Sequence, residues 1–242
     1  MFDYKFADFE GFNEDEGLAF KPYTIKQVGG VRVAVIGQAF PYTPIANPQR
    51  FIPDWTFGIQ DERMQKMVDR VRANEAPDLV VVLSHNGMDV DLKLASRVSG
   101  IDVIFGGHTH DGMPAPSVVR NKGGETLVTN AGSNGKFLAV MDLDVRGGKL
   151  QDFRYRLVPV FSNMLPADAE MQAYIEQVRA PYKEKLEEKL AVAEETLYRR
   201  GNFNGTFDQV ICDALRSVND AQIALSPGFR WGTTLLPGDT IT

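Results

Sequence analysis

The chain has 242 residues, is 43% hydrophobic and carries a formal net charge of −6. That apolar content can fill one large domain or one and a half ordinary ones, and the acidic balance argues against a nucleic-acid binder. No apolar run approaches the roughly 18 residues of a membrane-spanning helix. The opening Met1-Phe2-Asp3-Tyr4-Lys5 does not read as a secretory leader, and a single cysteine, Cys212, excludes an internal disulfide.

In chain order, residues 1–29 interleave Phe6, Phe9, Phe12 and Phe20 with acidic side chains and read as loop plus one strand near Ala19–Ile25. Gly29-Gly30 has hairpin chemistry, and Val31–Ile36 follows as a strand. Gly37–Pro53 contains Pro41, Pro44, Pro48 and Pro53, so it reads as an ordered loop rather than a helix. Leaving a strand end, such a loop either walls a pocket or is a plain surface connection. Asp61–Ala73 is a helix, with Met64, Met67, Val68 and Val71 on one face and Arg63, Lys66 and Arg70 toward water.

The next stretch carries the chemistry. Leu79–Leu83 ends in Ser84-His85-Asn86-Gly87, and Ile101–Phe105 ends in Gly106-Gly107-His108-Thr109-His110-Asp111. Short β-branched runs that are apolar on both faces read as buried parallel strands. Between them Val90, Leu92, Leu94, Ala95 and Val98 fit a crossover helix, so the unit is β-α-β and right-handed. All three histidines of the chain lie here, at the carboxyl ends of neighbouring strands, where open α/β sheets form their sites. Neutral imidazole is the commonest protein ligand for a transition metal, and paired glycines let the backbone turn sharply beside an ion. His85, His108 and His110 are therefore candidate metal ligands; histidines serving only the core or the surface have no reason to gather at adjacent strand ends.

A short loop with Pro114 and Pro116 follows, and Thr126–Thr129 reads as the next strand. It ends in Asn130-Ala131-Gly132-Ser133-Asn134-Gly135, either a loop reaching the same rim or a plain tight turn. Phe137–Val145 and Leu150–Val160 read as antiparallel strands around Arg146-Gly147-Gly148. Beyond Phe161 the composition changes. Asp168–Lys189 is a charged linker helix interrupted at Pro181, and Thr206–Val218 is a helix carrying Cys212. No histidine is near Cys212 in sequence to activate it, so it reads as a packed or idle thiol. Ile223–Ser226 reads as a strand leading into Pro227-Gly228-Phe229-Arg230-Trp231-Gly232.

Leu83-Ser84-His85 and Gly106-Gly107-His108-Thr109-His110 resemble the last two metal-binding blocks of the calcineurin-like metallophosphoesterases. The order of elements resembles the 5′-nucleotidase branch. Four stretches, Val35–Pro44, Ser84–Leu94, Gly106–Gly112 and Pro227–Gly232, are most similar to the SoxB thiosulfohydrolases of bacterial sulfur oxidation. The resemblance runs from about Val31 onward. It implies an α/β fold: a partial metallophosphoesterase sandwich of β-sheets flanked by helices over residues 1–160, a linker helix over 161–195, and the start of an α+β C-terminal substrate domain over 196–242.

The resemblance also implies two divalent metal ions, manganese in this family, with His85 and His108 on one and His110 on the other. Asn86 and Asp111 would orient the imidazoles. Arg230 aligns with the nucleotidase arginine that contacts substrate phosphate; its guanidinium is a planar fork of donors suited to an oxyanion. The nucleotidase double glycine beside that arginine is absent, which argues against a nucleotide substrate. The family's Asp-x-His, bridging Asp and Asn-His blocks lie upstream of the strand at Val31, and no histidine precedes His85. On this reading the sequence is an internal fragment whose catalytic residues lie upstream. The implied substrate is a cysteine S-thiosulfonate on the SoxYZ carrier protein, the product sulfate, and the compartment the periplasm. A 5′-nucleotidase-like phosphomonoesterase shares the metal blocks and differs in the substrate domain; a non-catalytic metal-binding fragment is the third reading.

Overall fold

The computed structural model describes residues 3–4, 21–161, 163–199, 205–226 and 234–242. The chain divides into two compact units, Met1–Leu165 and Pro166–Thr242. The first is built on a six-stranded sheet. Its strands are β1 (Tyr23–Val28), β2 (Val31–Gln38), β3 (Leu79–Ser84), β4 (Val103–Gly106), β5 (Ser117–Asn121) and β6 (Gly124–Asn130), in spatial order β1-β2-β3-β4-β6-β5. The four inner strands are parallel, and β1 and β5 close the two edges antiparallel. Helix α1 (Asp61–Glu75) joins β2 to β3, and α2 (Met88–Arg97) joins β3 to β4. A two-stranded ribbon, β7 (Phe137–Arg146) with β8 (Lys149–Pro159), follows.

Side-chain alternation explains the layering. Ala34, Ile36, Val80, Val82, Ile104 and Val128 pack with Met64, Val68 and Val71 of α1 and Leu94 and Ala95 of α2. The alternate positions Val33, Val81, Val103 and Leu127 pack with Met141, Leu143 and Phe153 of the ribbon. Each inner strand is thus apolar on both faces, and a one-residue slip would exchange the two sets everywhere at once. With about 1.5–3 kcal/mol per fully buried aliphatic side chain, that exchange holds the register firmly. The register in turn aligns the carboxyl ends of the inner strands, with Gln38 opposite Ser84, Leu83 opposite Phe105 and Gly106 opposite Asn130.

The structure shows the expected mixed α/β class, and several element boundaries move. Of the strand expected near Ala19–Ile25, residues 19–20 lie outside the described residues; the described strand runs from Tyr23 and pairs through the Gly29-Gly30 turn, where both glycines have positive φ. The proline-rich loop contains one turn of α-helix, Thr43–Ala46, and a 3-10 turn, Gln49–Phe51; Pro44 is tolerated because the first helical turn has no N–H partner to lose. Strand β5 occupies a stretch expected to be loop, and its hairpin with β6 turns at Lys122-Gly123.

The second unit opens with α3 (Ala169–Arg179), capped by the Asp168 carboxylate accepting from the Met171 N–H at 2.8 Å. Pro181 lies in a 3-10 turn, Ala180–Tyr182, and breaks the helix as its missing N–H requires. Helix α4 spans Thr206–Asn219. Short pairs join Ala191–Val192 to Thr240–Ile241 and Leu197–Tyr198 to Thr234–Leu235. Ile223–Ser226, expected as a strand, pairs with no strand among the described residues, and Ile223 and Leu225 lie exposed. No described helix is long and apolar enough to cross a membrane.

Candidate functional site

The site forms where the inner strands end. His85 follows β3 directly, and its N–H donates to the Gln38 carbonyl at the end of β2, 2.9 Å away. After β4 the chain runs through Gly106-Gly107 into a tight turn in which the Thr109 N–H meets the Gly107 carbonyl at 3.0 Å. His108 and His110 both take left-handed backbone, φ 74° and 61°, a conformation uncommon outside glycine. Thr109, between them, explains how the turn is held. Its Oγ1 accepts from the Met88 N–H at the start of α2 (3.1 Å) and donates to Asp111 (2.5 Å). From the next strand end, the buried Asn130 amide donates to the Gly107 carbonyl at 3.4 Å, and the Gly132 N–H donates to the Asp111 carbonyl at 2.7 Å.

This scaffold brings two imidazoles together. The His85 and His108 rings lie edge to face, with centroids 5.2 Å apart and planes 70° apart. Phe40, in the loop after β2, stacks on His108 at 4.0 Å and meets His85 edge-on at 5.9 Å. The loop therefore walls the site, one of the two roles open to it from the sequence. Partial burial of His108, then the neighbouring His85 and His110, push its pKa below the ordinary imidazole value, and Asp89 pulls weakly the other way. At neutral pH the ring is held in the uncharged form that binds metals.

His110 follows on the same loop and is half-buried, while His108 and Thr109 before it are exposed. Among the described residues, no three His, Cys, Asp or Glu side chains converge on one point. The arrangement shown is therefore an imidazole pair, with the third histidine two residues along. Neutral imidazoles at this separation fit part of the donor set of a divalent transition metal. Asn86 donates to Asp91, and Asp111 accepts from Thr109. Cys212 is half-buried on α4. Arg230 lies outside the described residues.

One residue of this region is not singled out by the sequence motifs. Asp91 is fully buried on the inward face of α2, between Met88 and the Leu94-Ala95 pair. Its Oδ1 accepts from Ser84 Oγ at 2.6 Å and from Asn86 Nδ2 at 3.0 Å. Burial pushes its pKa up to about 6 against the lowering effect of those two bonds. The helical period was the available signal, because it places position 91 among the apolar positions and not with the solvated ones.

No protein-family model matches the chain. Thermus thermophilus sulfate thiohydrolase SoxB, solved with glycerol, superposes with a TM-score of 0.82 at 38% identity, over 92% of this chain and 40% of that one. A 5′-nucleotidase precursor, also from Thermus thermophilus, gives a TM-score of 0.78 at 29% identity, over 93% of this chain and 48% of that one. The Bacillus subtilis trifunctional nucleotide phosphoesterase YfkN is 34% identical over 131 residues, 54% of this chain and 9% of its own length. The Vibrio cholerae 5′-nucleotidase is 27% identical over 212 residues, covering 72% of this chain and 38% of the relative.

By sequence and fold the chain is similar to members of the 5′-nucleotidase/calcineurin-like superfamily. It spans less than half the length of each of these four members. The metallophosphoesterase fold accounts for the layout above, in which a parallel sheet delivers histidine-bearing loops to one rim.

Proposed function

We propose that the protein carrying this chain is a metal-dependent thiosulfohydrolase of the SoxB type. One observation carries the choice within the superfamily. At nearly equal coverage of this chain, identity is 38% to the SoxB structure and 29% to the 5′-nucleotidase precursor. In the proposed reaction, water adds to the terminal sulfone sulfur of a cysteine S-thiosulfonate on a SoxYZ-type carrier. The sulfur–sulfur bond breaks, the carrier keeps a cysteine persulfide that takes one proton, and sulfate leaves. The compartment proposed is the periplasm.

In this reading His85 and His108 hold one divalent ion and His110 a second, with manganese as the proposed metal. Such a pair of ions, when bound, supplies an activated water and offsets charge on the leaving group. The chain's own residues do the rest. Phe40 fixes the plane of His108 and shields one face of it from water. The Thr109 hydroxyl ties the His108–His110 turn to the helix that follows His85. Asn86 and Asp111 act on the loop backbone through Asp91 and Thr109. Arg230 is proposed to receive the sulfonate oxygens.

The second reading is a 5′-nucleotidase, favoured by the long 27% match to the Vibrio cholerae enzyme. One experiment separates the two: the full protein, loaded with Mn2+, is given thiosulfonate-charged carrier and, separately, AMP. Sulfate release from the carrier is expected. Efficient phosphate release from AMP without sulfate release would overturn the proposal.

A further inference from the structure

We propose that Asp91 is the positioning residue that aims the His85 imidazole. The inference rests on reading His85 as a metal ligand and assigns a role to a buried carboxylate that does not itself reach the rim. Ser84 and Asn86 flank His85 in the chain, and both side chains end on the same oxygen, Asp91 Oδ1. Ser84 Oγ also accepts from the Asn86 N–H at 3.1 Å. The three side chains are buried, while His85 between them is exposed at the rim. One carboxylate thus clamps the backbone on both sides of a ligand whose own ring must stay accessible.

The other carboxylate oxygen faces the second histidine block. A Cβ on Gly106 would lie 2.7 Å from Asp91 Oδ2, so the carboxylate occupies space that only a glycine leaves at the end of β4. Asp91 Oδ2 and Asn86 Oδ1 are buried without a hydrogen-bond partner among the described residues. A group required only for folding would be cheaper as a satisfied or apolar side chain. Because α2 carries Asp91 and its N-terminal Met88 N–H holds Thr109, a single helix references both loops.

The test uses the whole chain without metal, then with Co2+ as probe. Hydrogen exchange reads the His85 and Asn86 amides, which donate to the Gln38 carbonyl and to Ser84 Oγ. Asp91→Ala is expected to speed exchange at these two amides at least tenfold relative to core amides such as Val82 and Ile104. It is also expected to weaken Co2+ binding ten- to a hundredfold, as lost outer partners of metal ligands do, and to alter the visible spectrum of bound Co2+. Asp91→Asn keeps an oxygen acceptor and restores both readouts to within threefold. Val98→Ala, a cavity on the core side just past the same helix, moves core amides without the selective effect.

An Asp91→Ala protein with unchanged exchange at the two amides, or with unchanged Co2+ affinity, would overturn the proposal. If that variant does not fold, Ser84→Ala takes its place: it removes the 2.6 Å bond and leaves the carboxylate. Threefold weaker Co2+ binding supports the role, and unchanged binding refutes it. The exchange readout does not depend on substrate. A protein that hydrolyses neither thiosulfonate nor AMP, yet shows the Asp91→Ala effect, would refute the functional reading and leave this one standing.

Discussion

Phe40 lies face to face with His108, ring centroids 4.0 Å apart and planes 28° from parallel. Two elements far apart in sequence, the loop after β2 and the loop after β4, are joined by this one stack. Replacing Phe40 with Ala removes a shield that helps lower the His108 pKa. The imidazole should titrate closer to its ordinary value, and the ring should lose its fixed plane. Aromatic pairs contribute about 0.5–1.5 kcal/mol beyond area burial, so a Phe40→Ala variant should stay folded with metal binding a few-fold weaker. NMR titration of the histidine ring protons checks this; an unmoved His108 titration would show that water reaches the ring regardless of Phe40.

The pH dependence of stability separates two groups by sign. The Asp91 carboxyl has its folded pKa raised from 3.8 to about 6. The folded chain therefore holds more protons than the unfolded chain between those values, and stability falls as pH rises through that window. At about 1.36 kcal/mol per pKa unit, the loss amounts to about 3 kcal/mol and is complete above the folded pKa. His108 acts oppositely: its folded pKa is lowered, so its contribution is lost as pH falls below 6.5. The stability difference between the metal-free chain and Asp91→Asn, measured by urea melts from pH 4 to 7, isolates the carboxyl. It should grow in favour of the variant with rising pH, and a flat difference would contradict the burial argument.

Gly106 and Gly107 differ in what a methyl group would strike. On Gly106 it meets Asp91 Oδ2 at 2.7 Å and the Thr129 carbonyl at 3.3 Å; on Gly107 it meets His85 Nδ1 at 3.2 Å. Gly106→Ala should destabilise by about 1–3 kcal/mol, the usual range for overpacking. Combined with Asp91→Ala, it should destabilise by less than the sum of the two single changes, because the clash is gone. Gly107→Ala should disturb His85 more than the fold, with weaker metal binding at a nearly unchanged melting temperature. A strictly additive cycle at Gly106 would remove the predicted contact.

At the amino ends of the same strands, Arg72 donates to the Gly100 carbonyl through Nε (2.9 Å) and Nη2 (2.8 Å), and Nη2 also reaches Asp102 Oδ2 at 2.7 Å. The Val80 N–H donates to the same Asp102 oxygen. Arg72→Met keeps much of the packing and leaves the Asp102 carboxylate without its cation. A loss of about 1–3 kcal/mol is expected for this partly exposed pair. Metal binding at the opposite strand ends should not change. Parallel urea melts and metal titrations of the variant test both halves of that statement.

The β-α-β unit was legible because its strands are apolar at every position and its helix at the helical period, and the structure returns both within a few residues. The β7–β8 ribbon was legible for a similar reason, two patterned strands around a glycine pair. Strand β5 was missed because Pro114 and Pro116 precede it and its residues alternate only weakly, so its pairing with β6 depends on that neighbour. Ile223–Ser226 failed in the opposite way: local β-propensity is present, but no described strand completes a ladder. Helix α4 formed where expected, yet Val210, Leu215 and Val218 remain exposed and Asp208 is its buried residue, bound by Arg199 at 3.2 Å.

By itself, the amino-acid order determined that three imidazoles leave the ends of two adjacent strands, because hydrophobic period, chain direction and crossover handedness are local properties. Only the tertiary structure decided which side chains surround them. Phe40 over His108, and Asp91 bound to both chain neighbours of His85, are set by sheet register and helix packing, and those long-range constraints leave no mark in the spacing of residues along the chain.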